Sequence, residues 1–258
     1  MHAIVTAGGT PQPKEPLYEE TRGGYKALLE IHGKPMIQWV LDALSGAQLI
    51  ERIIVVGLPI YTDLSCSKPM QIIEDQGNMI ANIKAGVDEL FKTHPSTQQV
   101  LAISSDIPTI TSPMVDWMIQ TVLESDDDVY YNVIERSVME RRFPNSRRTY
   151  THLKELEVCG GDLNAIRASV ATPENSLYAR LIEARKNPIR QASILGFDTL
   201  LLLLLRQVSL EQAAVLVSKR LGINGRAILC PYPEMGMDVD KPHQLEMVRA
   251  DLAKQSVV

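Results

Sequence analysis

A glycine turn near the N-terminus is the first place in this sequence where a nucleotide could bind. The apolar residues 3–5 predict a short buried strand, which leads directly into Ala7, Gly8 and Gly9. Glycine permits positive φ and lets bare backbone N–H groups approach a ligand. Lys26 follows in the next part of the chain. The combination predicts a site for a nucleoside triphosphate, with an ordinary strand-to-loop turn as the alternative interpretation.

Two carboxylate sites follow later strands of the predicted sheet. Asp106 comes just after the apolar strand expected at residues 99–104, and Asp238 and Asp240 follow the last expected strand. Ligands of open α/β sheets bind at this carboxyl edge. Mg²⁺ takes oxygen ligands from one or two carboxylates and fills its other positions with phosphate and water. With the glycine turn, the pattern predicts Mg²⁺-assisted phosphoryl chemistry. Simple capping by Asp106 or Asp240 is the alternative.

Alternating strand and helix signals organise the first half of the chain around these residues. Strands are expected at residues 50–57 and 99–104, and helices start at Pro35, Asn78 and Ser112, each with apolar residues at helical spacing. This order predicts parallel strands joined by crossover helices, which is a Rossmann-like α/β layer fold.

The second half departs from that alternation. Strands are expected at residues 128–135, 164–167 and 226–230, and helices at 174–186, 188–206, 210–221 and 242–254. We therefore expect one domain over residues 1–258, with a basic loop at 136–150 and a helical insertion at about 173–222. The leucine run 200–205 is shorter than the roughly 20 apolar residues of a membrane span. It predicts a buried helix or a helix packed against a second copy in a homodimer.

Composition excludes several classes of protein. The chain has 258 residues, 45% of them hydrophobic and 22% charged, which is typical of a globular protein. Its formal charge of −5 argues against a general nucleic-acid binder. The three cysteines show no metal-type pairing and predict reduced thiols. No secretory signal pattern begins the chain, so we expect a cytoplasmic protein without membrane contact.

The ordered motifs of the chain resemble those of the MobA-like nucleotidyltransferases. The resemblance rests on residues 7–9, on Lys26 before a Leu-Leu pair, and on residues 33–37, 105–108 and 238–242. It implies a Rossmann-like three-layer α/β/α fold with a mostly parallel mixed sheet, of the nucleotide-diphospho-sugar transferase type. The superfamily includes molybdenum cofactor guanylyl- and cytidylyltransferases and sugar-phosphate nucleotidyltransferases.

The resemblance also implies roles on the donor side of the site. Lys26 would steady the phosphates and the transition state, and Asp106 and Asp240 would hold Mg²⁺ with help from Asp238. The remaining donor contacts would come from Ala7, Gly8, Gly9 and Thr10 for the triphosphate, and from Gln76, Gly77 and Asn78 for base and ribose. Helix capping is the alternative for Asn78.

The loop after the glycine turn is longer than is usual in the family, and this leaves its arginine open. Arg22 replaces the usual loop arginine in one interpretation and is an ordinary solvated side chain in the other.

The acceptor side is expected to lie at an arginine-rich segment over residues 136–148 and the strand after it. Guanidinium groups suit a phosphate or carboxylate, so Arg147 and Arg148 are candidates; a solvated loop or a subunit contact is the alternative. The resemblance adds Gly161, Asp162 and Asn164, which match a glycine-containing strand that faces the acceptor.

The expected activity is therefore Mg²⁺-dependent transfer of a nucleotide from an NTP to a small phosphorylated acceptor, with release of pyrophosphate. Two alternatives stay open: a GT-A glycosyltransferase using a nucleotide sugar, and a non-catalytic nucleotide-binding relative. A glycosyltransferase would normally carry Asp-x-Asp where Asp106 provides one carboxylate, and Lys26 favours a triphosphate. The base and the acceptor are not determined by the sequence.

Overall fold

The computed structural model of the chain describes residues 1–171 and 207–255. In chain order the strands are β1 (His2–Thr6), β2 (Glu30–Ile31), β3 (Lys34–Pro35), β4 (Arg52–Val56), β5 (Met70–Ile73), β6 (Gln99–Ser104), β7 (Val129–Glu135), β8 (Thr151–His152), β9 (Glu157–Gly160), β10 (Leu163–Arg167) and β11 (Gly225–Leu229). The helices are α1 (Tyr18–Thr21), α2 (Met36–Gly46), α3 (Met79–Thr93), α4 (Ser112–Leu123), α5 (Arg136–Arg142), α6 (Leu210–Leu221) and α7 (Pro242–Gln255).

The central sheet is mixed and has the order β5-β4-β1-β6-β10-β7-β9-β8, with β11 paired to β7. The strands β5, β4, β1 and β6 are parallel to one another, and β11 runs parallel to β7. The strand β10 is antiparallel to both β6 and β7. The parallel strands therefore bring their carboxyl ends, and the loops that follow them, to one edge.

The period-two alternation of the inner strands divides the core between the two faces of the sheet. In β1, Ala3 and Val5 pack in one buried cluster with α2 and α4, whereas Ile4 packs in a second cluster with Val87 and Leu90 of α3. Helices on both faces of the sheet confirm the expected three-layer α/β/α arrangement.

The antiparallel part of the sheet contains a bulge that has consequences for the site. Tyr130 of β7 faces Ala165 of β10, and a continuous register would place Val133 opposite Asp162. Val133 instead faces Gly160 of β9. Residues 161 and 162 are therefore extra residues in the strand, and such bulges re-aim side chains next to functional sites.

Local signals explain the helix ends. Asn78 caps α3, accepting a hydrogen bond from Ala81 N–H at 3.1 Å, and Ser209 forms a capping box with Gln212 at the start of α6. Gly222 ends α6 in the left-handed conformation.

The structure differs from the sequence-based prediction in the segment 136–150, and it does not describe two of the expected helices. The segment 136–150 was expected to be a loop, but its first half is α5; the expectation was wrong because Val138 and Met139 give this charged helix an apolar side that packs on the core. The helices expected at 174–186 and 188–206, with the leucine run 200–205, lie outside the described residues. Within the described residues, no helix is both long and apolar enough to cross a bilayer.

Candidate functional site

The glycine turn lies at the carboxyl edge of the sheet, between the ends of β4 and β6. Ala7 N–H donates to the carbonyl of Val56 at 2.8 Å, and Ser105 N–H donates to the carbonyl of Thr6 at 3.1 Å. Gly57 has φ of +121°, and a Cβ there would lie 2.0 Å from the backbone N of Gly8. The turn is therefore held in place by its neighbours on both sides.

A cavity of about 280 Å³ opens above this turn. Its walls contain many of the expected donor-site residues, namely Ala7, Gly8, Gly9, Lys26, Gly77, Asn78 and Asp106. Thr10, Arg22 and Gln76 do not line it. Arg22 has φ of +50° and ends the short helix α1 with an exposed side chain, so its backbone role here is a helix cap.

Lys26 joins the two carboxylate sites. Its N–H donates to the carbonyl of Gly9 at 2.9 Å. Its Nζ lies 2.6 Å from Oδ2 of Asp106 and also contacts Oδ1 of Asp240. Burial acts to lower the pKa of Lys26, but the two carboxylates outweigh burial and the pKa is raised. Lys26 is therefore a fixed positive charge at the mouth of the cavity.

Further bonds orient the two carboxylates. Ser104 Oγ donates to Oδ1 of Asp106 at 2.5 Å. The carbonyl of Asp106 accepts a hydrogen bond from Val239 N–H at 3.0 Å, which links the end of β6 to the segment that carries Asp240. Asp240 N–H donates to Oε1 of Gln244 at 3.0 Å, in the first turn of α7.

Asp162, at the bulge, lies next to this pair. Its carbonyl accepts from Ser104 N–H at 2.9 Å. Burial raises the pKa of Asp162 to about 7, and the carboxylates of Asp106 and Asp240 act in the same direction, against Arg148 and Lys26. The bulge thus brings a third carboxyl group close to Asp106 and Asp240.

Arg148 is the cation that contacts both Asp162 and Asp238. Its Nη1 contacts Oδ1 of Asp238, its Nη2 lies 3.7 Å from Oδ2 of Asp162, and the same Nη2 donates to the carbonyl of Gly160 at 3.3 Å. Asp238, expected to assist metal binding, is thus engaged by an arginine here. Arg147, the neighbouring candidate, is exposed and makes no ion pair with this cluster; it lines a second pocket, whose wall also contains Arg148.

Two acceptor candidates have structural roles in the bulge. Asn164 accepts from Asn132 N–H at 2.8 Å and donates to the carbonyl of Gly161 at 3.0 Å. A Cβ on Gly161 would lie 2.9 Å from the Asn132 side chain. Asn164 and Gly161 therefore stabilise the bulge that presents Asp162.

Sequence analysis missed Asp75 and Asn82 as members of the cavity wall. Asn82 is 2% exposed; it accepts from Gln76 N–H at 2.7 Å and donates to Oδ1 of Asp75 at 2.8 Å. A Cβ on Gly8 would come within 2.5 Å of that same Asp75 oxygen. The signal that could have found Asn82 is a polar residue on the inward side of an amphipathic helix.

A divalent cation fits the pair Asp106 and Asp240, because both carboxylates already converge on one positive centre, the Nζ of Lys26. Two carboxylates with substrate phosphates and water form a typical Mg²⁺ environment in proteins. Within residues 1–171 and 207–255, no group of three or more His, Cys, Asp or Glu side chains is arranged to hold a metal ion without such help.

Comparison with known proteins adds a family match. The model of the MobA-like NTP transferase domain matches residues 3–186. A probable molybdenum cofactor guanylyltransferase of Thermococcus sibiricus is 26% identical over 129 residues, which are 49% of this chain and 58% of that protein. The chain thus aligns with little more than half the length of this curated relative.

Solved structures support the fold over the full length. A hypothetical transferase from Thermus thermophilus has a TM-score of 0.81 and 32% identity, covering 95% of this chain and 98% of its own. A CMP:2-keto-3-deoxy-manno-octonic acid synthetase, solved with CTP, has a TM-score of 0.62 and 18% identity over 99% of this chain and 98% of its own. At 18% identity, the match to this synthetase supports the fold and nothing about function.

Proposed function

The chain belongs to the MobA-like NTP transferase family, and from this premise we propose that it transfers a nucleotide from an NTP to a phosphorylated small molecule. An acceptor phosphate oxygen attacks the α-phosphorus, the bond from that phosphorus to the β-phosphate oxygen breaks, and the electron pair leaves on pyrophosphate. The observation that carries the proposal is Lys26, held between Asp106 and Asp240 beside the glycine turn.

The protein's contribution to this reaction is positioning and charge stabilisation. Gly8 and Gly9 line the cavity where the triphosphate would lie, and glycine lets backbone N–H groups approach a phosphate closely. The ammonium of Lys26 is placed to balance negative charge that develops on the α-phosphate and on the departing pyrophosphate. No nucleophile from the protein is needed, because the acceptor provides the attacking oxygen.

Asp106 and Asp240 would hold Mg²⁺, with Asp238 nearby. When bound, the ion would neutralise phosphate charge as a Lewis acid. Asp106 is already oriented for this task by Ser104 Oγ.

The acceptor would approach from the side of Arg148 and Asp162. Arg148 offers a guanidinium group that is 14% exposed, between Asp162 and Asp238. Asp162 is the carboxyl group of this side and faces the same edge as Asp106 and Asp240.

For the donor, GTP is the first candidate, because the curated relative is described as a probable molybdenum cofactor guanylyltransferase; CTP is the second, because the superfamily that the motifs resemble also includes cytidylyltransferases. We propose that type of reaction, with the acceptor left as a phosphorylated small molecule.

A thermal-shift screen tests the donor half of the proposal. GTP, CTP, ATP and UTP are added with and without Mg²⁺ to the wild type, to Asp106→Asn and to the exposed-site control Asp88→Asn. A ligand that binds only the native state stabilises it by RT ln(1 + [L]/Kd), about 2.7 kcal/mol at a hundredfold excess. We expect Mg²⁺-dependent stabilisation by one NTP in the wild type and the control, and its loss in Asp106→Asn.

If none of the four triphosphates stabilises the protein, the proposal is contradicted. That result favours a nucleotide-sugar donor, which the same assay can test. Stabilisation without any pyrophosphate release on addition of acceptor candidates favours the non-catalytic alternative.

A further inference from the structure

A second polar pocket lies beside the catalytic edge. It has a volume of about 560 Å³ and lies between α5, the loop that follows it and β8. The lining residues are Arg136, Glu140, Pro144, Asn145, Arg147, Arg148, Tyr150 and His152. Its walls contain three arginines.

Most charges in this pocket are already balanced. Arg136 donates to Glu140 at 2.9 Å and to Glu157 at 2.7 Å. Arg148 is occupied by Asp238 and Asp162. Arg147 differs, because no carboxylate within the described part of the chain lies within ion-pair distance of its guanidinium. Among the described residues that line the pocket, Arg147 is therefore the arginine whose positive charge has no carboxylate partner.

The pocket is joined to the catalytic residues through two contacts. Arg148 forms part of its wall and also contacts Asp238, two residues before Asp240. Gln244 accepts from Asp240 N–H at 3.0 Å and donates to the carbonyl of Ser146 at 3.3 Å. A molecule that spans from the pocket to the cavity mouth would therefore pass along Arg148.

The backbone around Arg147 is held in an unusual conformation. Asn145 has φ of +67° and Arg147 has φ of +53°. Such residues persist where the surroundings fix them, and here Ser146 between them is 1% exposed and anchored by Gln244 and His243. The loop thus presents Arg147 from a fixed base.

We propose that this pocket binds an anionic group of the acceptor that is separate from the oxygen attacking the NTP. This inference rests on the proposed function and narrows the acceptor to molecules with at least two anionic groups. Arg147 provides the charge for the remote group, while Arg148 lies along the path between that group and the reacting phosphate. A phosphate or a carboxylate satisfies the same guanidinium chemistry.

Arginine modification mapped by mass spectrometry tests the proposal on the full chain. Phenylglyoxal is applied with inorganic phosphate, acetate or neither. Arg141 is the matched control within the same digest, because it is an exposed arginine of α5 that does not line the pocket. We expect inorganic phosphate to slow modification of Arg147 at least threefold and to leave Arg141 unchanged. Protection by acetate as well indicates that a carboxylate is also accepted.

Equal rates at Arg147 with and without both anions, or equal protection of Arg141, would overturn the proposal. A calorimetric titration of inorganic phosphate with Arg147→Gln and Arg141→Gln provides a second readout, with about a tenfold weaker phosphate affinity expected for the first variant only.

The donor screen runs separately on the same preparations. If phosphate protects Arg147 but no NTP stabilises the protein, anion binding in the pocket is supported and the proposed transferase function is contradicted. If an NTP stabilises the protein but phosphate does not protect Arg147, the pocket proposal is contradicted and the proposed transferase function is supported.

Discussion

The ammonium of Lys26 is balanced by two carboxylates from distant parts of the chain, Asp106 and Asp240. An ammonium between two carboxylates keeps its proton, and burial alone would have favoured losing it. In the proposed function, the ammonium would pair with the triphosphate and the two carboxylates with Mg²⁺, so that each charge would have a counterpart in the substrate complex. At the level of single residues, the site is a small set of charges, and the proposed function predicts that their balance changes on nucleotide binding.

Replacing Lys26 tests that balance. We expect Lys26→Ala to lower kcat for nucleotide transfer by about 10²–10³, the usual effect of removing one transition-state donor. Lys92→Ala, which removes an exposed lysine of α3 paired with Glu89, is the control and should leave kcat unchanged. Pyrophosphate release measures both variants, and an unchanged kcat in Lys26→Ala contradicts the role of the ammonium.

Asp162 predicts a pH dependence of stability. Its pKa is raised from 3.8 to about 7, mainly by burial and then by Asp106. Below pH 3.8 both folded and unfolded chains hold the proton. As pH rises towards 7, the unfolded chain ionises first, so this residue's contribution to stability is lost.

The matching experiment is Asp162→Asn, unfolded with urea in EDTA. Because the Asp162 side chain is 32% exposed, solvent screening reduces the effect, and we expect the variant to gain about 1–2 kcal/mol over the wild type at pH 8. The two proteins should converge near pH 4. A constant difference at all pH values would show that Asp162 does not titrate in this range.

At the scale of the element, two backbone features shape the site. The bulge between β9 and β10 adds residues 161 and 162 to the strand, and Asp162 consequently lies close to Asp106 and Asp240. The close approach of the β4 end to the glycine turn requires a residue without a Cβ at Gly57. Both features are backbone features. The bulge determines where the Asp162 side chain lies, and the close approach at Gly57 determines where the backbone of Gly8 lies.

Gly57→Ala tests the close approach. A Cβ would lie 2.0 Å from the Gly8 nitrogen, at φ of +121°, so we expect a loss of more than about 3 kcal/mol in the free energy of unfolding. Gly222→Ala is the control, because φ there is +73° with nothing within 4 Å of the added Cβ. It should lose about 1–2 kcal/mol. Equal losses in urea unfolding would show that the contact with Gly8 is relieved at little cost.

Gln244 tests the link between α7 and the arginine loop. It is 2% exposed and bridges Asp240 N–H to the Ser146 carbonyl. Gln244→Leu leaves both groups without this partner, and we expect a loss of about 1–3 kcal/mol in urea unfolding. Glu246→Gln, at an exposed position on the same helix, should stay within about 0.5 kcal/mol of wild type. A neutral Gln244→Leu would contradict the bridging role.

Across the whole molecule, the three cysteine thiols differ in how deeply the hydrophobic core buries them. Cys159 and Cys230 are buried, whereas Cys66 is partly exposed. Burial raises the pKa of Cys159, and it raises that of Cys230 to about 11. Two of the three thiols are therefore both inaccessible and protonated in the native state.

Native-state alkylation with iodoacetamide at pH 8 tests this enclosure. We expect Cys66 to be modified first, and Cys159 and Cys230 at rates that follow unfolding. Peptide mapping with and without urea measures the three rates. Fast modification of Cys230 in the native protein would contradict the described core. A homodimer remains a prediction, because the leucine run on which it rests lies outside the described residues.

The sequence by itself determined most of the parallel half of the fold and singled out the principal charged residues; the parallel strand β5 is absent from the sequence-based prediction. Local patterns were sufficient there: β6 begins and ends where its pattern predicts, as does α6 in the second half, and Lys26, Asp106 and Asp240 follow turns or strand ends. Tertiary structure decided the rest. The bulge at Asp162 and the engagement of Asp238 by Arg148 depend on contacts between segments far apart in the chain. Such contacts leave no periodic trace in the sequence, because register and side-chain pairing are settled only when the strands meet.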